Sequence, residues 1–229
     1  MNAVKLQGVS RVYRQGSVAV NALTGIDLEI RKGDFAVLVG PSGSGKTTLL
    51  NLIGGLDTPT AGRIEVAGAE IGGMSRAQLS YVRLRKIGFV FQEFNLIPVL
   101  SALENVEFVM LLQGVAERER RARTSALLKE LGLDGMEHRR LNELSGGQQQ
   151  RVAVARAIAA EPIIVLPDEP TANLDSKAGA ALMDMMRRLN EDKGVTFVFS
   201  THDPMVVERA RRVIRLRDGR VESDERKPA

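Results

Sequence analysis

Phe35-Ala-Val-Leu-Val39, followed at once by Gly40-Pro-Ser-Gly-Ser-Gly45-Lys46-Thr47-Thr48, decides how the rest of the chain is read. An unbroken apolar run of this length is the pattern of a strand buried on both faces of a parallel sheet. Gly40 to Thr47 then fits G-x-x-x-x-G-K-[ST]. Glycines let backbone N–H groups close around phosphate oxygens without interference from a Cβ. A helix starting at Lys46 adds its partial positive charge. The Lys46 ammonium can reach β- and γ-phosphates, and the Thr47 hydroxyl can ligate Mg²⁺. A dinucleotide-binding loop does not compete, because Thr48 stands where its third glycine belongs.

Outward from this loop, short apolar runs alternate with helical stretches. A helix is expected from Lys46 to about Ile53, and strands at 63–66, 87–91, 163–166 and 195–200. Ser145 to Ala160 reads as a helix that ends before Glu161-Pro162. Ser176 reads as the cap of a helix running to about Asn190, and Asp203-Pro204 opens another. The first thirty residues read as short strands, Val4–Leu6, Val9–Tyr13 and Leu28–Ile30. This alternation argues an α/β core on a largely parallel sheet, with a β-rich N-terminus and a helical middle as appendages.

Composition sets limits on the chemistry. With 229 residues, 44% hydrophobic and 26% charged, the chain suits one large core rather than a disordered segment. It has no cysteine and two histidines, which excludes disulfides, thiolate sites and multi-histidine metal centres. No apolar run approaches the ~18 residues needed to span a bilayer, and Met1 to Gln7 lacks the layout of a secretion signal. The net charge of +4 is too small to argue for nucleic acid by itself.

The apolar run before Asp168-Glu169 delivers two carboxylates to the sheet edge where ligands bind in α/β folds. Asp168 can hold Mg²⁺, while Glu169 can orient and deprotonate a water. Pro167 lacks an N–H, so the strand is expected to stop at Leu166; a bond pattern continuing through position 167 would contradict that. Leu144-Ser145-Gly146-Gly147-Gln148 then places a serine and two glycines at a helix start, a second anion site.

Taken together, the loop, the Asp-Glu pair and this pentapeptide resemble an ATP-binding-cassette (ABC) ATPase over essentially the whole chain. The resemblance implies a P-loop NTPase (RecA-like) α/β core with a largely parallel sheet, an N-terminal antiparallel β subdomain and an inserted α-helical subdomain. It implies one cassette over 1–229, with the core and β subdomain at about 1–92 and 161–229 and the helical part at about 93–160. The implied ligands are ATP and Mg²⁺. ATP would meet Tyr13, stacked on adenine, and Gly40, Pro41, Ser42, Gly43, Ser44, Gly45, Lys46, Thr47 and Thr48. Thr47, Gln92 and Asp168 would hold Mg²⁺, and Glu169, His202 and Gln92 would be catalytic. Leu144, Ser145, Gly146, Gly147 and Gln148 would contact ATP held by a second copy in a head-to-tail homodimer, with Asn173, Leu174 and Asp175 linking the copies. Ala172 departs from the glycine common in the family, and Pro167 from its usual small residue.

Phe91 to Pro98 with Glu104-Asn105-Val106 is similar to cassettes of the lipoprotein-releasing and macrolide-exporting type, and also to cell-division relatives whose output is mechanical. A separate integral membrane permease is then implied, with the cassette peripheral on the cytoplasmic face of the cell membrane. Docking would involve Phe94, Leu96, Ile97, Val99 and Leu100. The other class, a cassette acting on DNA or the ribosome, usually carries long insertions or tandem repeats, neither of which is present. The arginine-rich stretches 118–123 and 209–220 read as solvated faces rather than a nucleic-acid surface.

Overall fold

Every residue of β3 (Phe35–Val39) is buried. Alternation along that strand divides the interior into two layers. Phe35, Val37 and Val39 face one apolar cluster, and Ala36 and Leu38 face the other. Each large side chain fully removed from water contributes about 1.5–3 kcal/mol. Phe35 meets Phe197 and Phe199 edge-on, at 5.7 and 4.8 Å between ring centres. The computed structural model describes residues 1–16 and 18–227, so Ser17 and the end of the expected 1–229 unit lie outside the described residues.

Two sheets are built around these layers. One, antiparallel, takes β1 (Asn2–Gln15), β2 (Val18–Arg31), β4 (Ala61–Val66) and β5 (Ala69–Glu70) in the order β2-β1-β4-β5. The other runs β10-β9-β3-β8-β7-β6, with β6 (Ile87–Val90), β7 (Ile164–Pro167), β8 (Thr196–Ser200), β9 (Arg212–Arg217) and β10 (Arg220–Arg226). All its pairings are parallel except β9 with β10. Helix α1 (Lys46–Ile53) follows β3, and α2 (Arg76–Lys86) precedes β6. Helices α3 (Ala102–Leu112), α4 (Glu117–Glu130) and α5 (Gly146–Ala159) follow, then α6 (Ser176–Lys193) and α7 (Pro204–Arg209). Buried residues of α3, α4 and α5 share one apolar cluster with β3, β7 and β8. Among the described residues no helix is long and apolar enough to cross a membrane.

Four expectations need correction. First, the short N-terminal strands are parts of two long ones. Pairing shifts register between Leu6↔Leu28 and Val9↔Ile26, where Gly8 and Gly25 take positive φ, so a bulge in a continuous strand reads locally as a turn. Second, β7 extends to Pro167. That residue pairs with Val90 of β6, while the ladder to β8 lapses after Val165↔Phe197 and resumes at Asp168↔Ser200. The Asp168 N–H donates toward β6 and the Glu169 N–H toward β8, so the proline nitrogen faces β8, where its missing donor interrupts one ladder without ending the strand.

Third, Asp175 rather than Ser176 caps α6. Its Oδ1 accepts from the Ala178 N–H at 2.8 Å, and the helix runs on to Lys193 before Gly194, at φ 66°, ends it. Fourth, the stretch 209–220 is a solvated face only in part, with Arg211, Arg215, Arg217 and Arg220 exposed. It contains β9 beside β3, with Val213, Ile214 and Leu216 buried. Arg212 is itself buried, bonded to Asp34 and to both carboxylate oxygens of Asp224.

Candidate nucleotide site

Four strand ends converge on one cleft, as expected for the C-terminal edge of a parallel sheet. The loop Gly40 to Thr48 follows β3, Gln92 follows β6, Asp168-Glu169 follows β7 and Thr201-His202 follows β8. The cleft, of about 630 Å³, is lined by Gly40 to Thr48, Gln92, Glu169, Ala172 and His202, with Val20, Asn21 and Ala22 on the β2 side. A cavity of similar size, about 670 Å³, lies between α4 and the end of α6 and has no phosphate loop.

Close packing accounts for Gly40 and Gly45 of the loop, and a left-handed backbone at φ 77° for Gly43. A Cβ on Gly45, at φ 100°, would lie 2.7 Å from the Ala22 carbonyl oxygen, and one on Gly40 would lie 2.2 Å from that of Leu216. The Lys46 ammonium donates to the carbonyls of Gly40 and Pro41 at 2.8 and 3.0 Å, which holds it at the mouth of the loop.

On the acidic side, burial pushes the Asp168 carboxyl above the ordinary carboxylate range and the Glu169 charge adds to the rise; the Ser200 and Thr47 hydroxyls oppose it. Asp168 Oδ1 is buried without a hydrogen-bond partner. An orphaned hard oxygen beside Lys46 and Thr47 fits Mg²⁺, which takes one or two protein oxygens and completes its shell with water and phosphate. Among the described residues no cluster of three or more His, Cys, Asp or Glu side chains could hold a metal, so an all-protein cage is not on offer.

Glu169 is held firmly. Its backbone sits at φ 46°, the strained left-handed region, and its N–H donates to Ser200 at 2.8 Å. Oε2 accepts from the Thr201 hydroxyl at 3.0 Å, and Oε1 lies 2.7 Å from His202 Nδ1. A carboxylate so oriented, with a histidine beside it and a phosphate loop opposite, is equipped for hydrolysis at a terminal phosphate. Residues 23–172 match the family described as ABC transporter.

The chain belongs to the ABC transporter family. It is an ATP-binding cassette, an ATPase. It is 46% identical to the lipoprotein-releasing system ATP-binding protein LolD of Anaeromyxobacter dehalogenans, over 96% of this chain and 93% of that one. It is 45% identical to the macrolide export ATP-binding/permease protein MacB of Syntrophobacter fumaroxidans, over 98% of this chain but only 32% of that longer protein. Among solved structures, the cassette MJ0796 of Methanocaldococcus jannaschii, a dimer in a post-hydrolysis state with ADP and Pi, matches with TM-score 0.90. That similarity is at 44% identity and covers 99% of each chain.

Within the cassette, the pentapeptide lies away from its own cleft. None of Leu144 to Gln148 lines it. Leu144 is buried in the core, whereas Ser145 is exposed. Ser145 Oγ accepts from the Gln148 N–H while Gln148 Oε1 accepts from the Ser145 N–H, a capping box that orients the first turn of α5. The serine hydroxyl hydrogen and the N–H groups of Gly146 and Gly147 have no intrahelical use. A Cβ on Gly146 would approach the Asn173 carbonyl, Phe94 and Leu174 at 3.8–4.0 Å, so the pentapeptide, the Gln92 loop and the loop after Glu169 adjoin.

Tyr13 is at the margin of the cleft. It does not line it, but pairs across the β1–β2 ladder with Val20, which does. Arg11 lies over its ring at 4.5 Å and its hydroxyl donates to Asp57 at 2.7 Å. Asn173 Nδ2 donates to the Gln92 carbonyl at 2.9 Å, and Leu174 packs on the core. Of the expected docking residues, Leu96 is buried and Phe94 half-buried, while Val99 is 74% exposed. Phe108, Leu111 and Leu112 of α3 add exposed apolar area that the sequence reading missed. It also missed Thr201 and Ser200, although both directly precede His202, and the β2 residues at the cleft, which carry no motif.

Proposed function

We propose that this cassette is the energy-supplying subunit of a membrane transporter of the lipoprotein-releasing and macrolide-exporting type, working as a head-to-tail homodimer around two ATP molecules. One observation carries the dimer: the pentapeptide, with unused donors at an exposed helix start, is absent from the cleft of its own chain. A second copy would bring that helix start to the phosphates held by the first.

In this reading Tyr13 stacks on adenine, Gly40 to Thr48 wraps the phosphates, and Lys46 leaves its own loop carbonyls for the β- and γ-phosphates. Asp168 and Thr47, with Gln92, would hold Mg²⁺, which when bound neutralises charge on the phosphate oxygens. Gln92 and Glu169 orient a water in line with the γ-phosphate. Glu169 takes its proton as the oxygen–phosphorus bond forms and ADP leaves, and His202 steadies the carboxylate and contacts the γ-phosphate. Asn173, Leu174 and Asp175 lie where the two copies would meet.

The permease is the element that gives transport. Exposed Val99, on the loop that begins at Gln92, and exposed Phe108, Leu111 and Leu112 of α3 are proposed as its seat. The names of the LolD and MacB relatives support this pairing, and a cassette with no spanning helix among its described residues would then be peripheral to the cytoplasmic face of the membrane.

Complementation tests the composite site. Lys46→Ala and Ser145→Arg should each abolish hydrolysis alone. Random pairing of the two variants yields about half mixed dimers, each with one intact site, so up to about a quarter of the unmodified activity should return on mixing. A mixture that stays silent while both variants dimerise would mean that each chain carries a complete site.

A further inference from the structure

Helix α5 does more than present its first turn. Arg156, on that helix, donates through Nη2 to the Phe94 carbonyl at 3.0 Å and through Nη1 to the Asn95 carbonyl. Phe94 and Asn95 are consecutive non-glycine residues in left-handed conformation, at φ 62° and 48°. Such a pair is strained and persists only where its surroundings hold it. Burial lowers the proton affinity of the Arg156 guanidinium, with no acidic partner among the described residues to offset it. The two carbonyls are its polar partners, and arginine's rigid planar fork can hold both at once, whereas a lysine ammonium is a single point charge.

The loop so gripped is the one that begins at Gln92. Asn173 holds the Gln92 carbonyl on one side, and Arg156 holds Phe94 and Asn95 on the other. Earlier on the same helix, fully buried Gln150 donates Nε2 to the Pro170 carbonyl at 2.9 Å, just beyond Glu169. We propose that Arg156 is a positioning residue for hydrolysis, clamping Phe94 and Asn95 in their strained conformation so that Gln92 is held in register with the Ser145 end of α5. The inference rests on the reading of Gln92 as a residue that orients the attacking water. A reacting group misplaced by about 1 Å can cost on the order of 10² in rate.

The test compares Arg156→Lys, Asn95→Gly, the double variant and Gln92→Ala by ATPase kcat, KM for ATP and thermal melting. Arg156→Lys should lower kcat about tenfold or more while KM stays within about twofold, because the phosphate loop is untouched. Asn95 is exposed, and glycine adopts its φ without steric cost, so Asn95→Gly alone should leave activity near normal. The double variant should regain several-fold of the lost kcat, a rescue that a merely structural arginine would not permit. Full kcat in Arg156→Lys beside an impaired Gln92→Ala, or a double variant with no recovery, overturns the proposal alone. Undiminished kcat in Gln92→Ala overturns the reading of Gln92 and this inference with it. If Arg156→Lys does not fold, Asn95→Val, whose branched side chain opposes the left-handed backbone, replaces it. A fall in kcat at constant KM then supports the clamp, and unchanged kcat overturns it.

Discussion

Replacing Glu169 by glutamine removes a base and leaves a shape. Glu169 Oε2 accepts from Thr201 at 3.0 Å, a bond that the glutamine carbonyl oxygen can keep, and its amide can face His202 Nδ1, now 2.7 Å from Oε1. The phosphate loop and Lys46 have no direct bond to this side chain, so ATP affinity should change less than twofold. Loss of a general base costs about 10²–10⁴ in rate, which is about 2.7–5.4 kcal/mol of barrier at 1.36 kcal/mol per decade. Glu169→Gln should therefore bind ATP normally, turn over at most about a hundredth as fast, and accumulate as a nucleotide-locked dimer. Steady-state phosphate release gives the rate, and size-exclusion chromatography with light scattering gives the mass with and without MgATP. Turnover within tenfold of the unmodified chain would refute Glu169 as the base. A slow variant that stayed single at saturating MgATP would refute the composite site.

Two further predictions concern buried charge. Because burial raises the Asp168 carboxyl, the folded chain holds that proton more tightly than the unfolded one. Its contribution to stability is present below the unfolded value and lost as pH rises to the folded one, so at neutral pH metal-free Asp168→Asn should melt no lower than the unmodified chain, at about 2–4 °C per kcal/mol for this length, while losing MgATP hydrolysis. A lower melting temperature would show that the Asp168 charge is compensated within the protein. Asp34 has the opposite sign. Burial would raise its carboxyl, but hydrogen bonds from Arg226, the Arg31 N–H and Arg212 and the charge of Arg226 together hold it below the usual range. Its contribution is present above the unfolded value and lost as pH falls through the folded one. Asp34→Ala should cost about 3–5 kcal/mol at neutral pH, as for one partner removed from a buried pair. Denaturant melts at pH 7 and pH 3 should show that gap narrowing in acid, and a pH-independent gap would refute the ionic account.

Much of the site was legible in the sequence where its chemistry is local. The phosphate loop draws its donors from consecutive backbone groups and its charge from Lys46, so the spacing of glycines and lysine within one short stretch suffices. The α5 cap is local in the same way, since Ser145 and Gln148 satisfy each other within one turn. Buried strands β3 and β8 declare themselves because both faces must be apolar. What stayed hidden depends on partners far along the chain. The bulges near Gly8 and Gly25 exist only as a mismatch between two strands. The burial of Arg212 depends on Asp34 and Asp224, and composition alone had made that arginine a surface residue.

The sequence by itself therefore determined a phosphate-binding cassette, the alternation of buried strands and helices around its loop, and the types of side chain that would do the chemistry, because those follow from contacts between near neighbours. Tertiary structure alone decided the contacts: the Thr201 hydroxyl and His202 meet the Glu169 carboxylate at the cleft that Gln92 also lines, and Arg156 reaches the Gln92 loop. Those facts are set by strand register and helix packing, where one residue of slip would turn each side chain to the other face.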